Sequence, residues 1–185
     1  MLDAKDFKDI AAELKGFEVQ REKIIASSRD VIQLSKLIIH AVLRGDITKA
    51  DTLAKKIRSD VKAIPSGEYE TEMRSVALQE YVEALALLSF VKKGKIATRK
   101  ELGVDTQSYL LGLCDLTGEF VRLAINKVIN KDYAAALKIK TAVEEIYGQF
   151  LEFDLRNGNL RKKADSIKWN LKKLEEMALS LSIKA

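Results

Sequence analysis

The chain predicts an all-α fold in a single domain covering residues 1–185. Three observations lead there. Pro occurs once and Gly nine times, so helix breakers are scarce and long helices are favoured. Apolar residues make up 47% and charged residues 32%, which suits a globular chain with a full core rather than a disordered one. The few breakers also sit beside capping residues, where one helix should end and the next begin.

Each element follows from its own signals. Residues 4–43 carry one long helical pattern, stopped at Arg44-Gly45-Asp46. Gly45 suits the left-handed position past a helix end, and Asp46 suits the next N-cap. A second helix over 47–63 ends before Pro65, which disfavours helix at Ile64. The third runs from about Gly67 to Val91 and closes at Lys92-Lys93-Gly94-Lys95, with cations at the negative end of the dipole. Thr98 caps a short turn over 99–102, and Asp105 or Thr106 caps a helix over 107–129. Asn130-Lys131-Asp132 opens a helix over 132–154, and Asn157-Gly158-Asn159 opens the last, over 160–182. No internal repeat and no long linker divides the chain.

The last helix has a heptad seam of Leu160, Ala164, Ile167, Leu171, Leu174, Ala178 and Leu181, a pattern that specifies packing along a partner helix. The partner is either within the same bundle or in another subunit. Trp169 lies off the seam and needs an apolar neighbour of its own.

Charge is unevenly placed. The net charge is +5, and residues 156–185 hold all of it, with 8 basic and 3 acidic side chains. Such a local basic field suits a polyanion, although charge runs also serve as solvated helix faces. Several chemistries are disfavoured. Cys114 is the only cysteine, so there is no internal disulfide and no zinc set; it reads as a small buried apolar residue. His40 is the only histidine, which rules out a site built on several His. There is no phosphate-binding G-x-x-x-x-G-K-[ST] run. The charged opening MLDAKDFKD does not read as a signal peptide, and no apolar run could span a bilayer. A cytoplasmic protein is expected.

The candidate chemistry lies in acidic pairs. Tyr109 to Arg122 reads as a helix, yet it places Asp115 and Glu119 four residues apart on one face. Gly112 and Gly118 lie within about 60° of Asp115 on the helical wheel. Each interior Gly costs roughly 1 kcal/mol relative to Ala, which is tolerated where something approaches the backbone closely. Glu80 and Glu83 form a second pair, flanked by Val76, Ala77, Ala84 and Leu87. Acidic groups on apolar stripes are rare unless they are paired or bind a metal. Two Mg²⁺ ions held about 3.5–4 Å apart by carboxylates could neutralise a phosphoryl group and activate water. The competing reading is ordinary pairing with Arg74, Arg122, Lys36 or His40.

Tyr109–Arg122 also resembles a signature of the translin superfamily. Similar matches are Leu160 to Lys173 (L-R-K-K-A-D-S-I-K-W-N-L-K-K) with Leu174-Glu175-Glu176, and Ser28-Arg29-Asp30 with Ser35-Lys36 and His40. One branch of that superfamily, the translins, binds single-stranded nucleic acid. The other, translin-associated factor X (Trax), carries an acidic ribonuclease site. Gln79-Glu80-Tyr81-Val82-Glu83-Ala84 and Asp115-Leu116-Thr117-Gly118-Glu119 look Trax-like, whereas the basic C-terminal helix looks more like translin.

The resemblance implies a bundle of about seven helices that assembles with itself into a hollow shell, an octamer in this family. The combined features suggest a single homologue of the archaeal type. Glu80, Glu83, Asp115 and Glu119 would be the catalytic and metal-holding residues of a Mg²⁺-dependent endoribonuclease acting on single-stranded RNA, with Mn²⁺ as a substitute ion. The alternative is a non-catalytic shell binding single-stranded RNA or DNA. Arg29, Lys36, Arg161, Lys162, Lys163, Lys168 and Lys172 would hold the nucleic acid, largely without reading its sequence.

Overall fold

The computed structural model describes residues 2–65, 72–156 and 158–184. Within them are seven helices: α1 (Ala4–Leu43), α2 (Ile47–Ala63), α3 (Glu72–Lys93), α4 (Arg99–Leu102), α5 (Thr106–Ile129), α6 (Tyr133–Leu151) and α7 (Asn159–Lys184). The expected start of the third helix at Gly67 lies outside the described residues. The sixth helix is shorter than expected, because the chain turns at Glu152 and Phe153 instead of running to residue 154.

The breaks have the anticipated chemistry. Gly45 takes φ +79°, which joins α1 to α2, and the Asp46 carboxylate accepts from the Lys49 amide at 3.0 Å. Thr98 and Glu101 form a reciprocal capping box at α4. Asp105 caps α5, accepting from the Ser108 amide at 2.8 Å, and Asp132 caps α6.

The helix α3 is buried nearly all round from Ala77 to Leu88, as a helix in the middle of a bundle must be. It packs between α1 and α5; α2 covers α1 and α3, and α6 and α7 pack on α5 and on each other. Gly112 marks the closest approach of α3 and α5. A Cβ there would lie 2.6 Å from the Val82 Cβ and 2.8 Å from the Gln79 carbonyl oxygen. Close approach therefore explains Gly112 but not Gly118, whose Cβ would meet only the Asn170 side-chain amide at 3.8 Å.

The middle of the α7 seam is filled from within the chain. Ile167, Leu171 and Leu174 are buried where α7 packs against α5 and α6, whereas Leu160, Ala164, Ala178 and Leu181 are half-buried. Trp169 finds no apolar cover and is 61% exposed, because it projects from the flank that faces away from those two helices. The start of α1 is also uncovered. No residue of α1 before Ile24 is buried, so its first half extends beyond the bundle with Phe7, Ile10 and Leu14 exposed.

Candidate functional site

The close packing of α3 on α5 brings the two acidic pairs to one place. Glu80, Glu83, Asp115 and Glu119 all line a single cleft of about 720 Å³. Lys36, Ile39 and His40 of α1 form one wall; Lys163, Ser166 and Asn170 of α7 form another. Gly118 and Cys114 lie among them, so Gly118 opens cleft space instead of admitting a neighbouring backbone.

The carboxylates are not equivalent. Glu83 is buried, and desolvation together with Asp115, Glu119 and Glu80 pushes its pKa up to about 8. Burial also raises Glu80, against the opposing pull of Lys36. Asp115 accepts a hydrogen bond from Lys163 Nζ at 2.5 Å, and the same ammonium donates to Gln79 Oε1 at 3.1 Å. Glu119 receives Arg122 Nη1 on both oxygens, each at 2.8 Å. Beneath the cleft, Asn170 donates to Thr117 Oγ1 at 2.8 Å and Thr117 donates to the Cys114 carbonyl at 2.7 Å, which ties α7 to α5. Burial pushes the Cys114 thiol up to about 12, which suits the packing role expected of it.

The four groups line one cleft without closing on a common point. Among the described residues, no three His, Cys, Asp or Glu side chains are gathered into a cage for an ion. The acidic groups share a cleft but repel one another, and Asp115 and Glu119 each turn to a cation of their own chain. Ordinary pairing is thus present at two of the four positions, with Arg122 as anticipated and Lys163 in place of the other cations considered.

Of the expected RNA contacts, Lys36 and Lys163 both line the cleft, and Lys163 alone is paired with one of its carboxylates. Arg29 and Lys36 on α1, and Arg161, Lys162, Lys168 and Lys172 on α7, are exposed. Two of these carry local ion pairs, Arg161 with Asp165 at 3.5 Å and Lys172 with Glu176 at 3.8 Å. His40 and Asn170 are cleft residues that spacing did not single out as site groups. Asn170 falls at i+7 from Lys163, and that register was available in the sequence. A larger cleft of about 830 Å³, between α2, α3, α4 and the start of α5, holds Arg58, Lys62, Arg74 and Lys100 but none of the four carboxylates. Size does not make it the reactive centre, since it lacks a converging acidic set.

With this geometry in view, the relatives of the chain are informative. The profile of the Translin family matches residues 19–185. The chain belongs to the Translin family. It is 40% identical to Translin of Gallus gallus over 81 residues, 44% of this chain and 35% of that protein. Against Translin of Mus musculus it is 28% identical over 211 aligned positions, covering 95% and 92% of the two chains. Translin-associated protein X of Mus musculus is 25% identical, covering 96% and 78%. The crystal structure of apo-NeC3PO superposes with a TM-score of 0.78 at 33% identity, covering 97% of each chain. A structure of AfC3PO with duplex RNA has a TM-score of 0.85 at 24% identity, again covering 97% of each, and shows the shared fold. No described helix is long and apolar enough to cross a membrane.

Proposed function

We propose that this Translin-family chain is a Mg²⁺-dependent endoribonuclease that binds RNA through its basic surface and cleaves it at the α3–α5 cleft, in the cytoplasm. The observation that carries this reading is the meeting of Glu80, Glu83, Asp115 and Glu119, from two separate helices, in one open cleft. The donor set fits a hard divalent cation, because carboxylate oxygens are the ligands such ions prefer. Burial first, and then the neighbouring Asp115, Glu119 and Glu80 carboxylates, disfavour the charged form of Glu83, a cost that a bound cation would offset. To hold the ion or ions, with Mn²⁺ as a substitute, Asp115 and Glu119 would turn from Lys163 and Arg122 toward Glu80 and Glu83, and all four carboxylates would then supply ligands. Bound there, a divalent cation supplies charge neutralisation at a phosphoryl oxygen and a more acidic water. The chain's own cations act beside it: Lys36, Arg122 and Lys163 line the cleft and suit phosphate oxygens.

A second reading is a binding shell without catalysis. The Lys163–Asp115 and Arg122–Glu119 pairs favour it, since in that case the carboxylates only satisfy internal cations. RNA cleavage measured with Mg²⁺ and with EDTA separates the two. Cleavage that stops with EDTA, and in Asp115→Asn and Glu119→Gln, supports the enzyme. Binding without cleavage under every condition supports the shell.

For assembly, we propose association with further copies of this chain into a hollow homo-oligomer, an octamer as the family resemblance implies. The support is the uncovered apolar stripe Phe7, Ile10 and Leu14 on the projecting half of α1. Single-stranded RNA is the proposed substrate, with single-stranded DNA as a further ligand. The fold accommodates double-stranded RNA in AfC3PO, so strand preference is a quantity to be measured here.

A further inference from the structure

The most exposed large aromatic side chain of α7 has no structural duty in this chain. Trp169 is 61% exposed, off the buried seam and without apolar cover. It is also the only tryptophan. On a helix, residues three, four and seven apart share a flank. Lys172 and Lys173 therefore lie one turn beyond Trp169, and Lys162 lies two turns before it. Asp165 and Glu176 are on the same flank, but Arg161 engages the first at 3.5 Å and Lys172 the second at 3.8 Å. Among the described residues, Lys162 and Lys173 have no ion-pair partner and leave this flank basic.

The position of the indole adds direction. Ser166, three residues before Trp169, lines the carboxylate cleft, as does Asn170 immediately after it. Trp169 does not itself line the cleft; about 60° round the helix from Ser166, it stands beside that wall, on the side where α7 presents its basic face. An aromatic plane between lysines is the arrangement that binds single-stranded nucleic acid, with phosphates on the cations and a base on the ring. A subunit interface is the weaker reading, because lysine is depleted at interface cores.

We infer that Trp169 stacks an unpaired nucleobase of RNA whose backbone runs from Lys162 and Lys173 toward the cleft. This rests on the proposed RNA-binding function and adds to it a specific contact and a preference for unpaired bases.

The test uses the full chain, with EDTA present so that RNA stays intact. A single-stranded RNA of mixed sequence is titrated while tryptophan emission and the anisotropy of labelled RNA are followed together. The emission can come only from Trp169. It should fall in step with the rise in anisotropy. An abasic strand with the same number of phosphates should bind more weakly and leave emission unchanged. Trp169→Ala should weaken RNA binding roughly five-fold or more, and Trp169→Phe should restore most of it. Binding without any emission change would overturn the inference and leave RNA binding standing. No binding of any RNA would overturn both. Emission that depends on protein concentration without RNA, with dissociation of Trp169→Ala, would place the indole at a subunit contact and also overturn it.

Discussion

Lys163 Nζ lies 2.5 Å from Asp115 Oδ2, so a lysine of the most basic helix closes over a carboxylate of the acidic cleft. Both side chains are about one-third exposed, 31% and 33%. The pair therefore holds α7 on α5 while leaving Asp115 within reach of an added cation.

Lys163→Met should expose this competition. Loss of a partly buried, charge-assisted bond should cost about 1–2 kcal/mol, a fall of roughly 2–8 °C in Tm for a chain of this size. Affinity for Mn²⁺, measured by calorimetry, should rise, because the ammonium no longer occupies Asp115. A fall in Mn²⁺ affinity would show that Lys163 organises the acidic set rather than competing for it.

Glu83 makes stability depend on pH. Its folded-state pKa of about 8 lies above the ordinary 4.5, so the folded protein holds this proton more tightly than the unfolded chain. That contribution is complete below about pH 4.5 and is lost as the pH rises toward 8. Its full size is on the order of a few kcal/mol. Thermal melts without added metal should show Tm falling between pH 5 and pH 8, and Glu83→Gln should flatten that slope. Added Mg²⁺ should raise Tm more at pH 8 than at pH 5, since a protonated carboxyl is a poor ligand. Equal melts with and without Mg²⁺ at both pH values would count against a cation site.

The two glycines of α5 should respond in opposite ways to the same substitution. Gly112→Ala forces a methyl group to within 2.6 Å of Val82 and 2.8 Å of the Gln79 carbonyl, pushing α3 from α5. It should destabilise by about 1–3 kcal/mol despite the better helix propensity. Gly118→Ala meets nothing closer than 3.8 Å and should stabilise by up to about 1 kcal/mol. Urea denaturation measures both, and the Gly112 variant should also lose cation affinity, because the acidic pairs move apart.

Folding and assembly should separate by position. Leu174 is 1% exposed within the bundle, so Leu174→Asp buries an unpaired charge and should unfold the chain, at a cost of roughly 3–5 kcal/mol. Ile10→Arg with Leu14→Arg changes only exposed positions of α1. It should leave the melting of the bundle nearly unchanged while lowering the mass measured by light scattering. An unchanged mass would assign self-association to another surface.

Local rules determine much of this protein. Gly45, Pro65, Thr98, Asp105 and Asp132 act within a few residues of themselves, so the helix boundaries they set can be read along the chain. The acidic pairs were equally legible, since i,i+3 and i,i+4 spacing puts each pair on one face. Only the packing of α3 on α5 through Gly112 decided that the pairs meet, and that they meet in an open cleft with cations on two of them. A heptad seam specifies that a helix has a partner but not which one, so the placement of α7 on α5 and α6 is a tertiary result. The same holds for Lys163 and Trp169. Lys163 lies about 120° round the helix from Trp169, and the fold turned the lysine into the acidic cleft and left the indole in solvent. Sequence periodicity sorts residues into faces; which face meets which neighbour depends on contacts between residues far apart in the chain.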